Sequence, residues 1–252
     1  MTALDTLAGS AVAGTLYGVG VGPGDVRYLT LRAAGLVRAV DVLAYFAKKG
    51  MPGNARRIVA PLVDAGRIER RFEYPLTDEV PAESIEYRQQ LGAFYCETAE
   101  TLAALLRQGK SVGLLAEGDP FFYGSFMHMW RRLVPDFPVE VVPGVTGMSG
   151  CWTRAKLPIT WGDDTLAVLP GTLDEKRLVE RLRLTDAAVI MKVGRNLGKV
   201  RRAVERAGLL SRAVYVERGT MQDERILPLS ECGQPTGAYF GMVLIPGEGR
   251  RL

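Results

Sequence analysis

Residues 16–30 read LYGVGVGPGDVRYLT. An apolar strand start runs into Gly18, Gly20, Gly22 and Gly24, with Pro23 among them. A strand that empties into a glycine turn and then a helix is how α/β proteins build a ligand site. The spacing does not fit a dinucleotide fold, which needs G-x-G-x-x-G at that turn. Counted from Gly18, the third glycine position is Pro23, which has no N–H to offer a pyrophosphate. Asp41 has about the spacing of the ribose-binding acid, but it opens its strand instead of closing it. No Gly-Lys-Ser/Thr follows, so a P-loop fails too. What the stretch does provide is close backbone approach at the glycines, a fixed φ at Pro23 and a capping carboxylate at Asp25. A ligand here would be held by packing and backbone contacts, which suits a cation or zwitterion better than a phosphate. Taken alone, the stretch is also consistent with a tight strand-to-helix turn that binds nothing.

Outward from this turn, apolar runs recur at 15–22, 41–46, 111–117, 139–144, 165–171, 187–193, 213–218 and 239–245. Many are continuous instead of alternating, as in strands buried on both faces. Helical periodicity fills several gaps. It places Leu29, Ala33 and Leu36 on one stripe of 26–39, and Tyr95, Leu102 and Leu106 along 83–108, with Gly109 as a C-cap. Residues 174–184 and 197–208 read as helices with charged, solvated faces. Strands alternating with helices indicate an α/β protein. The stretch 47–82, rich in Pro, Gly and charge, reads as a long excursion over a ligand. The domain junction is expected near VVPGVTG (141–147), where a strand ends in Pro-Gly and a helix starts at Val145 or Thr146. This gives α/β domains over 1–143 and 144–252.

The 252 residues, 47% of them apolar and 24% charged, match an ordinary soluble globular protein. No apolar run approaches the roughly 18 residues of a membrane span, and the N-terminus lacks the pattern of a signal peptide. Cys96, Cys151 and Cys232 form no CxxC pair and read as reduced thiols in a cytoplasmic protein. His128 is the only histidine, which argues against an imidazole-based metal site. A structural role is expected for it on the helix after the second motif. The net charge of +4 and pI of about 9.0 favour acidic ligands without requiring nucleic acid.

Two companion motifs follow. In AEGDPFFYGSF (116–126) a strand ends at Glu117, the chain turns at Gly118-Asp119-Pro120, and Phe121 and Phe122 can wall a heterocycle. Asp119 can accept from a hydroxyl or ammonium group. In VVPGVTGMSGCWTRAKLPI (141–159) another strand runs into Pro-Gly, and Thr146 can cap the next helix while presenting its hydroxyl. Turns after apolar strands recur in VIMKVGRN (189–196) and VERGTMQDE (216–224).

The motifs GVGVGPGD, EGDPFFYG and VVPGVTGMSG, in this order and at this spacing, resemble the S-adenosylmethionine-dependent tetrapyrrole methylases of cobalamin and siroheme synthesis. The resemblance covers about Thr15 to Ile245. EGDPFFYGSF and DDTLAVLPGTL (163–173) resemble the branch that methylates precorrin-2 at ring carbon 20, giving precorrin-3A. Siroheme-type relatives carry GGDPFIFGRG at the second motif.

The resemblance implies two α/β domains, the first with a mostly parallel sheet and the second with a mixed one, and S-adenosyl-L-methionine folded into the cleft between them. It implies cofactor contacts at Pro23, Gly118, Asp119, Phe122, Thr146, Gly147 and Met191, and around Gly219 and Ala238. It also implies a homodimer. The chemistry would be in-line methyl transfer to an electron-rich meso carbon, so alignment and water exclusion matter more than a protein nucleophile. The ring must then lose a proton, for which Glu117 and Asp119 are candidate acceptors. The acid–base Asp proposed for the siroheme branch has its counterpart near Phe46 and is not carried over. Precorrin-2 bears eight carboxylates, which Lys48, Lys49, Arg56, Arg57 and Arg154 could orient by charge-assisted hydrogen bonds. No protein-bound metal is required. Rival expectations are a cobalt-loaded precorrin-2 substrate, a nicotinamide oxidoreductase, a non-catalytic tetrapyrrole carrier or sensor, and a ribosomal-RNA methylase.

Overall fold

The computed structural model describes residues 9–75 and 85–249. Contacts divide the chain into two compact units, Met1–Thr146 and Gly147–Leu252.

The sheet of the first unit has five strands: β1 (Leu16–Gly20), β2 (Val42–Lys48), β3 (Ile68–Tyr74), β4 (Val112–Ala116) and β5 (Val139–Val142). Their order is β3-β2-β4-β1-β5 and every pairing is parallel. β1 and β4 are buried along their whole length, because layers cover both faces of a parallel sheet. Leu16, Val42, Ala44, Val112 and Leu114 point to one face and pack on α3 (Ile85–Arg107) and α4 (Phe126–Leu133). Tyr17, Val19, Leu43 and Leu115 point to the other and pack on α1 (Leu31–Ala39) and α2 (Asn54–Ile58). Gly18 lets α4 close on the sheet, since a Cβ there would lie 2.3 Å from the Phe126 ring.

Several elements differ from the sequence expectation. The stretch 26–39 is a 3-10 turn at Val26–Tyr28 followed by α1. Asp25 caps only the turn; Thr30 takes an extended conformation and its hydroxyl accepts from Ala33 N–H, starting the true helix. β3 lies inside the expected excursion. Its charges concealed it: an edge strand needs few apolar residues, and charge protects its open side. The last part of that excursion (76–82) and the first two positions of the expected 83–108 helix lie outside the described residues, as does the start of the N-terminal lead-in. Asp41 is structural. Its carboxylate accepts from the amide and hydroxyl of Ser111 (2.8 and 2.7 Å), and its own N–H donates to Ser111 Oγ, tying the starts of β2 and β4 together.

The second unit carries β6 (Leu166–Pro170), β7 (Ala187–Met191), β8 (Val214–Glu217), β9 (Arg225–Pro228) and β10 (Gly241–Ile245), in the order β6-β7-β10-β8-β9. β6 and β7 run parallel, while β10 is antiparallel to β7 and β8. One face buries Ile190, Tyr215 and Val243 under α6 (Glu175–Arg183) and α7 (Leu197–Arg206). The other packs Val189, Val216 and Leu244 against α5 (Gly147–Arg154). The short edge strand β9 was not legible as an apolar run.

Candidate active site

β1 and β4 are neighbours, but the chain leaves β1 toward α1 on one face and β4 toward α4 on the other. Such a divergence opens a crevice at the carboxyl ends of the strands, the usual ligand position in an open α/β sheet. The first two motifs meet there. Gly22 and Gly118 exchange backbone hydrogen bonds of 3.3 and 2.8 Å, an isolated antiparallel bridge beyond the sheet. The third motif joins them at Gly144. A Cβ on Gly144 would fall 2.0 Å from Gly118 O, and one on Gly20 would fall 2.6 Å from Gly144 N. The glycines are thus needed for backbone-on-backbone contact.

Asp119 secures this junction. One carboxylate oxygen accepts from Phe121 N–H (2.9 Å) and the other from Gly144 N–H (3.1 Å), linking motif two to motif three. The backbone beyond it is tight: Tyr123 has φ +56°, and its ring meets half-buried Phe122 edge-on. Pro23 follows the Gly22 bridge directly, and Thr146 ends the first unit. Glu117 is reached by solvent yet crowded by protein, and that desolvation pushes its carboxyl above the usual range. The Ala55 N–H, 3.2 Å away, opposes the shift.

Four amides around the turn are already engaged. Val21 N–H donates to Ala116 O, Gly22 N–H to Gly118 O, Gly118 N–H to Gly22 O and Gly144 N–H to Asp119. A pyrophosphate would find these four taken, whereas a cation needs none.

Of the basic candidates, Lys48 ends β2 and Lys49 follows it; Arg56 and Arg57 lie on α2. Arg56 is engaged, its Nε and Nη2 each 2.9 Å from a carboxylate oxygen of Glu69 on β3. The guanidinium holds Glu69 below the usual carboxylate range. Arg71 donates to Met51 O (2.7 Å), so β3 fastens the segment that carries these cations. Lys49 and Arg57 are exposed. The sequence hid the part played by Glu69 and Arg71; the alternation of IERRFEY was its only trace.

In the second unit Met191 ends β7, Gly219 follows β8 and Ala238 precedes β10, which places all three at one end of that sheet. Left-handed backbone concentrates there: Lys192 (φ +55°), Arg218 (φ +49°) and Thr220 (φ +71°). Non-glycine residues adopt this conformation at a cost, and such strain clusters at functional sites. Arg218 N–H donates to Phe240 O (2.9 Å) and Ala238 N–H to the Tyr215 hydroxyl (3.1 Å), which fixes the loops around Gly219 and Ala238. Gly147 opens α5. Arg154 ends it and is chelated by Glu224, which sequence reasoning did not single out.

His128 stacks on Tyr95 with centroids 4.1 Å apart, and burial lowers its pKa. Burial pushes the Cys151 thiol up to about 12. Among the described residues no group of three or more His, Cys, Asp or Glu could hold a metal ion, and no helix is long and apolar enough to cross a membrane.

The family model of the Tetrapyrrole (Corrin/Porphyrin) Methylases matches residues 15–232. The chain is 51% identical to a Precorrin-2 C(20)-methyltransferase from Sinorhizobium sp, over 93% of this chain and 96% of that one. It is 29% identical to a Cobalt-precorrin-2 C(20)-methyltransferase from Salmonella typhimurium, covering 84% and 86% of the two chains. Its fold matches uroporphyrin-III C-methyl transferase from Thermus thermophilus, solved in complex with S-adenyl homocysteine. The TM-score is 0.63 at 23% identity, over 94% of this chain and 93% of that one.

Proposed function

From the membership of this chain in the tetrapyrrole (corrin/porphyrin) methylases, we propose that it transfers a methyl group from S-adenosyl-L-methionine to carbon 20 of precorrin-2, giving precorrin-3A in cobalamin biosynthesis. The observation that carries the reading is the 51% identity, nearly end to end, with a relative named for that reaction. Four engaged amides at the glycine turn support it, because they are closed to a dinucleotide phosphate and a sulfonium cation does not need them.

The donor supplies a methyl group already activated on positive sulfur. The residues of the chain hold the partners in line and keep water out; such orientation can be worth ~7–11 kcal/mol of the barrier. Pro23, Gly118, Asp119, Phe122 and Thr146 are the contacts proposed from the first unit, and Gly147, Met191, Gly219 and Ala238 from the second. Asp119 acts through geometry, since both carboxylate oxygens already accept backbone amides. Glu117, with its raised pKa, is the better proton acceptor for the methylated ring carbon. Lys48, Lys49 and Arg57 would orient the substrate carboxylates, with Arg56 held to one side by Glu69. The reading includes a cytoplasmic homodimer, which light scattering on the purified chain checks.

Mass spectrometry after incubation with S-adenosylmethionine and metal-free precorrin-2 tests the reaction. One added methyl at carbon 20 is expected. The 29% identical relative named for cobalt-precorrin-2 favours a second reading, in which the ring carries cobalt. Turnover of the cobalt form alone would select it, and turnover of neither would remove both.

A further inference from the structure

We propose that Arg154 is a positioning residue: through Glu224 it fixes the turn at 218–224, and so the Gly219 backbone offered to S-adenosylmethionine, instead of gripping a substrate carboxylate. The proposal rests on the methyltransferase reading above.

Arg154 and Glu224 lie 70 residues apart yet form a chelate. Nε lies 2.9 Å from both carboxylate oxygens and Nη2 lies 2.7 Å from one of them. Glu224 then accepts the Thr220 N–H at 2.7 Å. An exposed ion pair alone contributes little. This one differs because the Glu224 side chain is only 15% exposed and its second acceptance is of a backbone amide, a charge-assisted bond. The turn it holds needs holding. Arg218 and Thr220 flank Gly219 in left-handed conformations that a loose chain would abandon. α5 supports the same turn from beneath, where Cys151 Sγ would lie 2.8 Å from a Cβ on Gly219. A second link closes the turn, Arg218 Nε to Asp223 at 2.9 Å. Arg218 N–H then passes its position to the loop carrying Ala238 through Phe240 O. The helix thus meets the turn at two points, one steric at Cys151 and one electrostatic at Arg154.

The test is calorimetric binding of S-adenosylhomocysteine together with steady-state kinetics on wild type, Arg154→Gln and Glu224→Gln. The expected result is about a tenfold loss of S-adenosylhomocysteine affinity in each single variant and a parallel rise in KM for S-adenosylmethionine. The KM for precorrin-2 should stay within about twofold. Glu224→Gln keeps the guanidinium and decides the matter should Arg154→Gln not fold. A raised KM for precorrin-2 in Arg154→Gln with unchanged S-adenosylhomocysteine affinity would overturn the proposal in favour of direct substrate contact. Unchanged constants in both single variants would overturn it outright. Wild-type protein that does not bind S-adenosylhomocysteine would remove the parent reading and this proposal with it.

Discussion

Single atoms decide much of the site. Asp119 is the clearest case, because its two oxygens bridge two motifs that are distant in sequence. Asp119→Ala leaves Gly144 N–H without its acceptor and should cost about 1–3 kcal/mol in urea unfolding. S-adenosylhomocysteine affinity should fall about tenfold or more in the same variant. Gly144→Ala should be at least as damaging. The new methyl would meet backbone, not a side chain that could swing away, and overpacking of this kind costs about 1–3 kcal/mol. Asp41 gives a prediction of a different kind. Hydrogen bonds from the amide and hydroxyl of Ser111 lower its folded-state pKa. A carboxylate depressed on folding contributes stability that is complete above its unfolded pKa and lost as pH falls through the folded one. Asp41→Asn should therefore destabilise the protein at pH 7, by about 1 kcal/mol after discounting for exposure. The gap to wild type should close on titration below the normal carboxylate range, as urea melts at successive pH values would report.

Among the elements, the buried strands were the most readable. Continuous apolar runs such as VGLLA predict strands covered on both faces, and β4 is one. Helix starts were less readable. The 26–39 pattern merges a 3-10 turn with α1, and only the capping geometry of Thr30 separates them. Thr30→Ala should cost about 1 kcal/mol in thermal or urea melts. β3 could not be found by hydrophobicity at all, because its job at the sheet edge selects charge. Those charges turn out to hold Arg56 and the carbonyl of Met51. The three glycine motifs were legible because each required backbone contact removes a side chain, and glycine is conspicuous. Glu224 and Tyr215 were not, since a partner 70 residues away or a buried hydroxyl leaves no local pattern. Tyr215 deserves a test of its own. Its hydroxyl donates to Glu217 (2.9 Å), accepts from Ala238 N–H, and is kept protonated by burial. Tyr215→Phe strands both partners and should weaken S-adenosylhomocysteine binding several-fold, with a loss of about 1–3 kcal/mol in stability.

For the molecule as a whole, charge is the informative property. The net +4 is modest, yet three cations cluster in sequence, Lys48 and Lys49 at the end of β2 and Arg57 on α2. A substrate with eight carboxylates would feel that cluster, and salt would screen it over about 8 Å at physiological ionic strength. The KM for precorrin-2 should therefore rise several-fold between low salt and 0.5 M NaCl in an initial-rate series. S-adenosylhomocysteine affinity should change far less, since its proposed contacts are backbone and packing. The mutual saturation of the Val21, Gly22, Gly118 and Gly144 amides carries a bench-level corollary. Those four amides are closed to inorganic phosphate, so exchanging a Tris buffer for a phosphate one of equal ionic strength should leave the donor isotherm unmoved.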